Sequence, residues 1–405
     1  MEADRLESLI APYRERSNAE IRAQLDAYLS AHPPSRYPSS RTLRSNARTL
    51  FAGKRYRFAL AVAGYEGLSG VSAGPGVVRA STWLEWYHVY TLFLDDIMDE
   101  DVRRRTFPSA WSTNSRLYRG KNATRPGIVF RTRRTRYGAS QAILDALRIR
   151  SLAERAIEGA EGLNADVRER LLEELTEVDL VLSDGQGLDI DFETAARVRE
   201  ADYEAMSDRK TGRLYVGAAA TAAILAGTNG DPRAALETFA RHFSIAFQDR
   251  DDLLGAGVVA SRIGGSSSGD IKNGKRTRLF AMAVDRIPRR ERTAFLRAYG
   301  RGPRTTPKDI AQGKRTRLYA IAIERSPPKA RAAFVRAYGR GPRSTPRDVA
   351  LVRRILREHA LDVVNARIES NLRAALSALD AIRFRDDRTR DLLSRLARAQ
   401  GSRLR

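Results

Sequence analysis

The chain has 405 residues, no cysteine, and 72 lysines and arginines against 49 aspartates and glutamates, for a formal net charge of +23. Such a length can bury a large core and leaves room for two or three domains, while the absence of cysteine excludes disulfides and thiolate metal sites. The charge suits nucleic acid, an anionic membrane surface or phosphorylated substrates; no zinc-finger spacing, aromatic RNA-binding motif or basic zipper accompanies it, so no nucleic acid is expected.

In chain order, the pattern is amphipathic helix almost throughout, with few alternating β-branched runs. It predicts a single all-α domain over 1–405. A helix over 1–30 begins on charged residues rather than the apolar stretch of a signal peptide, and Pro33, Pro34 and Pro38 end it. Helices are expected over Gly53–Glu66 and Val77–Asp99, followed by a loop over 106–127 that carries Pro108, Gly120 and Pro126. Two further helices fall at about 138–160 and 165–185, and Gly227, Gly230 and Pro232 separate another pair. The longest apolar run, Val216 to Gly227, is alanine-rich and too short to span a bilayer, so a soluble cytoplasmic protein is expected.

Beyond a loop of glycine and serine at 264–269, the sequence repeats itself. Asp270-Ile271-Lys272-Asn273-Gly274-Lys275 recurs as Asp309-Ile310-Ala311-Gln312-Gly313-Lys314, and Ala298-Tyr299-Gly300-Arg301-Gly302-Pro303 recurs as Ala337-Tyr338-Gly339-Arg340-Gly341-Pro342. The units span 270–308 and 309–347, and a third copy begins at Asp348. A duplicated helix pair stacked outside the domain, or a subunit contact, would account for the second copy.

Two acidic segments carry chemistry. Asp95 and Asp99 are four apart, one helical turn on the same face, behind the apolar Val89, Leu92 and Phe93. Carboxylates at the end of a buried helix need compensation, and oxygen ligands of this kind suit Mg²⁺ with the phosphates of a substrate. Arg104 and Arg105 follow and could hold phosphate oxygens in a fork. Taken alone, the stretch also reads as an acidic helix end before a solvated basic loop. In the second segment Phe239, Phe243 and Phe247 mark a core stripe, with Gln248, Asp251 and Asp252 at i, i+3 and i+4 on a neighbouring face. Two helices of this design could clamp several Mg²⁺ ions between them and stabilise a departing diphosphate.

These residues give the chain a resemblance to the trans-type polyprenyl diphosphate synthases, the family that makes farnesyl and geranylgeranyl diphosphate. The first aspartate-rich motif stands as Asp95-Asp96-Ile97-Met98-Asp99 with Arg104-Arg105, the second as Phe247-Gln248-x-x-Asp251-Asp252. Between them lie Gly185-Gln186-Gly187-Leu188-Asp189-Ile190 and Lys210-Thr211-Gly212. Upstream is Gly53-Lys54-Arg55-Tyr56-Arg57 and downstream Asp270-Ile271-x-x-Gly274-Lys275-x-Thr277, so the motifs run in the family's order over roughly 50–280.

The resemblance implies an isoprenoid-synthase helical bundle around a central diphosphate and prenyl cavity, with a catalytic core at about 40–285. Asp95, Asp99 and Asp251, helped by Asp96 and Asp252, would hold two to three Mg²⁺ ions. Arg104, Lys210 and Lys275 would grip an allylic diphosphate, and Thr211 and Gln248 would lie by the allylic cation. Lys54, Arg57, His88 and Arg105 would bind isopentenyl diphosphate without metal. Tyr90 and Thr91, five and four residues before Asp95, would set chain length, with Tyr87 adding to the floor, in the pattern of archaeal-type geranylgeranyl synthases. A homodimer, and weak association with an anionic membrane surface, complete the expectation.

The sequence departs from the family at Thr106 and Gly255, where glycine and a third aspartate are usual, and lacks the lysine expected before Asp270. Lys314 or a nearby arginine could replace that cation. Rival readings are a farnesyl diphosphate synthase, a class I terpene cyclase, which would have no use for Lys54, Arg57 and His88, and a regulatory partner subunit, which would usually lose one aspartate motif.

Overall fold

The structure is a computed structural model of the chain; it describes residues 2–37, 40–104, 107–121, 130, 132–194, 200–255, 326–330, 333 and 361–401. The chain divides into two compact units. The first comprises Met1–Glu177, Gly217–Glu237 and Ile382–Arg395, the second Val178–Val216, Thr238–Ala381 and Leu396–Arg405. Apart from a two-residue strand pair, the regular structure among the described residues is helical.

In the first unit, α1 (Glu2–Ala31) buries Leu6, Ile10, Tyr13, Ile21, Leu25 and Leu29, a stripe at helical spacing. Two short helices, α2 (Ser40–Ser45) and α3 (Ala47–Phe51), lead to α4 (Tyr56–Ser69), whose alanines and glycines are buried on nearly every side. That small-residue surface admits close neighbours. A Cβ on Gly64 would lie 2.8 Å from that of Ala222, and one on Gly67 within 2.7 Å of Thr389 and Phe384.

The helix expected over 77–99 is two helices, α5 (Pro75–Ser81) and α6 (Trp83–Met98), parted at Thr82. The cause is local competition for backbone groups. Ser81 Oγ donates to the carbonyl of Val77 at 2.8 Å and Thr82 Oγ1 to that of Arg79 at 2.7 Å. α6 then sinks Trp83, Trp86, Tyr87 and Phe93 into the core. Each such side chain contributes roughly 1.5–3 kcal/mol by burial.

The expected loop at 106–127 is partly regular: β1 (Arg103–Arg104) pairs antiparallel with β2 (Phe107–Pro108), and α7 (Ala110–Ser115) follows. α8 (Arg133–Glu158) starts before the expected 138 because Thr132 and Thr135 close a capping box at 3.1 and 3.2 Å. Asp145 on α8 is fully buried and accepts from Thr42, Asn114 and Arg148 at 2.8, 3.2 and 2.7 Å. Burial pushes its carboxyl above the ordinary range, and these donors oppose the shift.

α9 (Ala165–Thr194) continues past the expected end at 185. From α10 (Glu200–Ser207) the chain runs through a π-helical turn, Asp208–Gly212, into α11 (Arg213–Leu225). α12 (Asp231–Gly255) carries Phe243, whose ring meets Tyr215 edge-on at 5.2 Å and stacks on Phe239 at 5.9 Å. Helices α13 (Leu361–Asp380) and α14 (Asp387–Gly401) complete the described chain. No helix among the described residues is long and apolar enough to cross a membrane.

Candidate active site

α6 delivers the first aspartates. Asp95 and Asp99, a turn apart, are half-buried, whereas Asp96 between them is fully buried. Arg104 on β1 reaches back to both neighbours, its Nη2 to Asp95 Oδ2 at 2.9 Å and its Nε to Asp96 Oδ1 at 2.8 Å. The short β1–β2 pair explains how an arginine eight residues further along returns to the helix end. Trp111 on α7 donates from Nε1 to the Asp96 carbonyl at 3.0 Å, which also accepts from the Asp101 backbone N–H at 2.9 Å.

Burial pushes the Asp96 carboxyl up to about 7, with Arg104 pulling down and Asp95 pushing further up. Burial also works against charge on Arg104, but Asp96 and Asp95 outweigh it and hold the guanidinium above its ordinary value. The other Asp96 oxygen, Oδ2, is buried without a hydrogen-bond partner.

Further back on α6, His88, Tyr90 and Thr91 are half-buried, and Thr91 Oγ1 donates to the His88 carbonyl at 2.8 Å. The Tyr90 ring lies 5.3 Å from that of Tyr87, itself fully buried. Lys54 and Arg57 are half-buried at the entrance to α4, with Lys54 Nζ 5.5 Å from the ring centre of Tyr56. Between them stands Arg55, whose role the motif does not reveal. Arg55 is buried, has a left-handed φ of 61°, and forms an ion pair with Glu85 of α6 at 2.9 Å.

The second unit gathers Lys210, Thr211, Gln248 and Asp252. Lys210 Nζ bonds Asp189 of α9 at 2.5 Å. A Cβ at Gly185 would lie 2.4 Å from the Lys210 backbone nitrogen, so glycine there permits α9 to approach the π-helical turn. Thr211 Oγ1 donates to Gln248 Oε1 at 3.0 Å, and Gln248 Nε2 donates to Asp252 Oδ1 at 2.9 Å. Tyr203 donates to the other Asp252 oxygen at 3.3 Å. Asp252 is thus a buried anchor, while Asp251 beside it is exposed.

The two residues left blank in the second motif are also anchors. Asp249 is buried and paired with Arg367 of α13 at 3.3 Å, and Arg250 Nη1 donates to the Ala399 carbonyl of α14 at 2.9 Å. Sequence gave no signal for either, because their partners lie more than a hundred residues on. Arg105, Lys275, the loop at 264–269 and the repeats lie outside the described residues, save 326–330 and 333.

Among the described residues no group of three or more histidine, aspartate or glutamate side chains could hold a metal by itself. The donors fit magnesium nonetheless: half-buried or exposed carboxylates in ones and twos are the set this ion takes when phosphates and water supply the rest. Asp95, Asp99 and Asp251 are the more accessible carboxylates, Asp95 sharing Arg104 with the enclosed Asp96, and Asp252 is held by Gln248.

Comparison with known proteins gives the site its setting. A geranylgeranyl pyrophosphate synthase from Corynebacterium glutamicum, complexed with isoprenyl diphosphate and magnesium, superposes with a TM-score of 0.74 and 25% identity over 98% of this chain and 99% of that one. The synthetase from Pyrococcus horikoshii gives 0.69 at 22% identity, covering 98% of each chain, a likeness of fold alone. The fold is therefore the all-α fold of the isoprenyl diphosphate synthases. By sequence, a geranylfarnesyl diphosphate synthase of Natronomonas pharaonis is 30% identical over 70% of this chain and 78% of its own length. A geranylgeranyl diphosphate synthase of Sulfolobus acidocaldarius is 28% identical over 55% of this chain, which spans 60% of that protein. The Polyprenyl synthetase family matches residues 40–308, and the chain belongs to it.

Proposed function

We propose that the chain is a prenyltransferase that joins isopentenyl diphosphate head-to-tail to an allylic diphosphate (dimethylallyl, geranyl or farnesyl), with geranylgeranyl diphosphate as the main product. The observation that carries the reading is the pair of aspartate-rich segments in a chain of this family, each held in place by its own unit: Asp95 by Arg104, and Asp252 by Gln248 and Tyr203. Relatives named as geranylgeranyl and geranylfarnesyl diphosphate synthases support elongation beyond farnesyl.

In the reaction the allylic C–O bond breaks and pyrophosphate leaves with the bonding pair. The double bond of isopentenyl diphosphate forms the new C–C bond, and a proton passes to the released pyrophosphate. Asp95, Asp99 and Asp251 would hold magnesium, which supplies neutralising charge to the leaving group. Arg104, Lys210 and Lys275 bind the allylic diphosphate; charge gathers there as the bond breaks, so fixed cations favour the transition state over the ground state. Lys54, Arg57, His88 and Arg105 bind the other diphosphate.

Two hydrogen bonds support a role for Thr211. Asp252 accepts from the Gln248 amide, which leaves the Gln248 oxygen to accept from Thr211. The Thr211 hydrogen is thereby committed to Gln248, and its oxygen lone pairs are left to face an allylic cation. A homodimer and weak attraction to anionic lipid belong to the same reading.

Incubation with Mg²⁺, isopentenyl diphosphate and each labelled allylic diphosphate, followed by product chromatography, tests it. Elongation to geranylgeranyl diphosphate is expected. Cyclised hydrocarbon from an allylic substrate alone would make the chain a terpene cyclase, and no turnover would leave it a partner subunit.

A further inference from the structure

The geometry points to Arg55 and Glu85 as a positioning pair that sets Lys54, Arg57 and His88 for the diphosphate of isopentenyl diphosphate. The inference rests on the function proposed above and adds two residues that touch no substrate. Both are 2% exposed. The Arg55 guanidinium is used on three sides: Nε donates to Asn18 Oδ1 at 2.9 Å, Nη1 to Glu85 Oε2 at 2.9 Å and Nη2 to the Leu50 carbonyl at 2.5 Å. Glu85 Oε1 in turn accepts from the backbone N–H of Phe58 at 3.2 Å. One buried charge pair thereby ties α1, the end of α3, the start of α4 and the first turn of α6.

Buried ion pairs are a poor route to stability, since desolvation offsets much of the attraction. What this pair does is fix geometry. It holds Arg55 at a left-handed φ of 61°, which a non-glycine residue keeps only when its surroundings impose it. A Cβ on Gly53 would lie 3.0 Å from Arg55 Nη1, so the loop is wrapped closely around the guanidinium. Lys54 precedes Arg55 directly, Arg57 follows two residues on, and His88 stands three residues after Glu85 on α6. The pair therefore joins the two segments that carry these three side chains, and sets their spacing.

The test uses the full chain with three changes: Glu85→Gln, Arg55→Lys, which keeps the charge and loses the fork, and the double change Arg55→Met with Glu85→Leu, an apolar pair that preserves packing. Weakening of one or two charge-assisted contacts should raise KM for isopentenyl diphosphate about tenfold or more. KM for the allylic diphosphate and kcat should stay within about twofold, while the double variant should melt below the parent, because the Leu50 carbonyl and the Phe58 N–H lose their partners. Unchanged KM for isopentenyl diphosphate, or equal rises for both substrates, would overturn the assignment. Calorimetric titration with isopentenyl diphosphate keeps the two readings apart. A parent that binds it but does not elongate contradicts the proposed function alone. Equal binding by parent and variants, or none by the parent, contradicts the positioning pair.

Discussion

Asp95 and Asp96 are adjacent in sequence and opposite in environment, one half-buried at a helix end and one fully enclosed against Arg104. Asp251 and Asp252 repeat the contrast, with Asp252 the enclosed member. The accessible member of each pair should carry the metal-dependent step. Asp95→Ala and Asp251→Ala proteins are each expected to lose on the order of a hundredfold or more in elongation rate, the scale of removing electrostatic stabilisation from a transition state; product formation under saturating substrate and magnesium measures it. Parental rates, or activity that survives chelation, would contradict the account. Chain length is argued at the same scale: Tyr90 is half-buried against the enclosed ring of Tyr87. Tyr90→Ala should release longer prenyl chains, read directly by chromatography, and an unchanged product would place the stop elsewhere. Motif spacing made the aspartates legible. It could not reveal Arg55, Glu85 or Asp249, because a charge bound inward breaks the polar-outside pattern on which such reading depends.

At the scale of elements, the helices were legible and their joints were not. The stripe on α1 gave that helix almost to the residue, whereas the break at Thr82 depends on two side-chain hydroxyls bonding back to the backbone, which periodicity does not register. The strand pair at 103–108 was missed for another reason: two residues are too few to show alternation. Close packing of α4 has a consequence for stability. Gly67 meets Thr389 and Phe384, while the Gly67 carbonyl accepts from the Arg385 backbone at 2.7 Å. Gly67→Val should therefore destabilise by about 1–3 kcal/mol through overpacking, seen as a lower urea midpoint. An unchanged midpoint would mean that the segment around 384–389 yields without loss.

For the whole molecule, the amphipathic helical pattern conveyed the all-α class but not the division into two compact units, whose segments interleave along the sequence. The family match, at 40–308, runs through segments of both. A net charge of +23 acts at this scale too. Attraction to acidic lipid is long-ranged and screened within about 8–10 Å at physiological salt. Cosedimentation with anionic vesicles should therefore exceed that with neutral ones at low salt and fade as salt rises. Equal partition to both would show that the excess charge is spent on solvation.

All three tryptophans of the chain, Trp83, Trp86 and Trp111, fall in the first unit, on α6 and α7. The indole of Trp111 hangs on the Asp96 carbonyl, while Trp83 and Trp86 are sealed in the core. Intrinsic fluorescence excited at the indole band is accordingly carried by residues of the first unit. Of its three emitters, only Trp111 stands beside the first acidic segment, so a spectral response to cation or diphosphate would be dominated by a single chromophore.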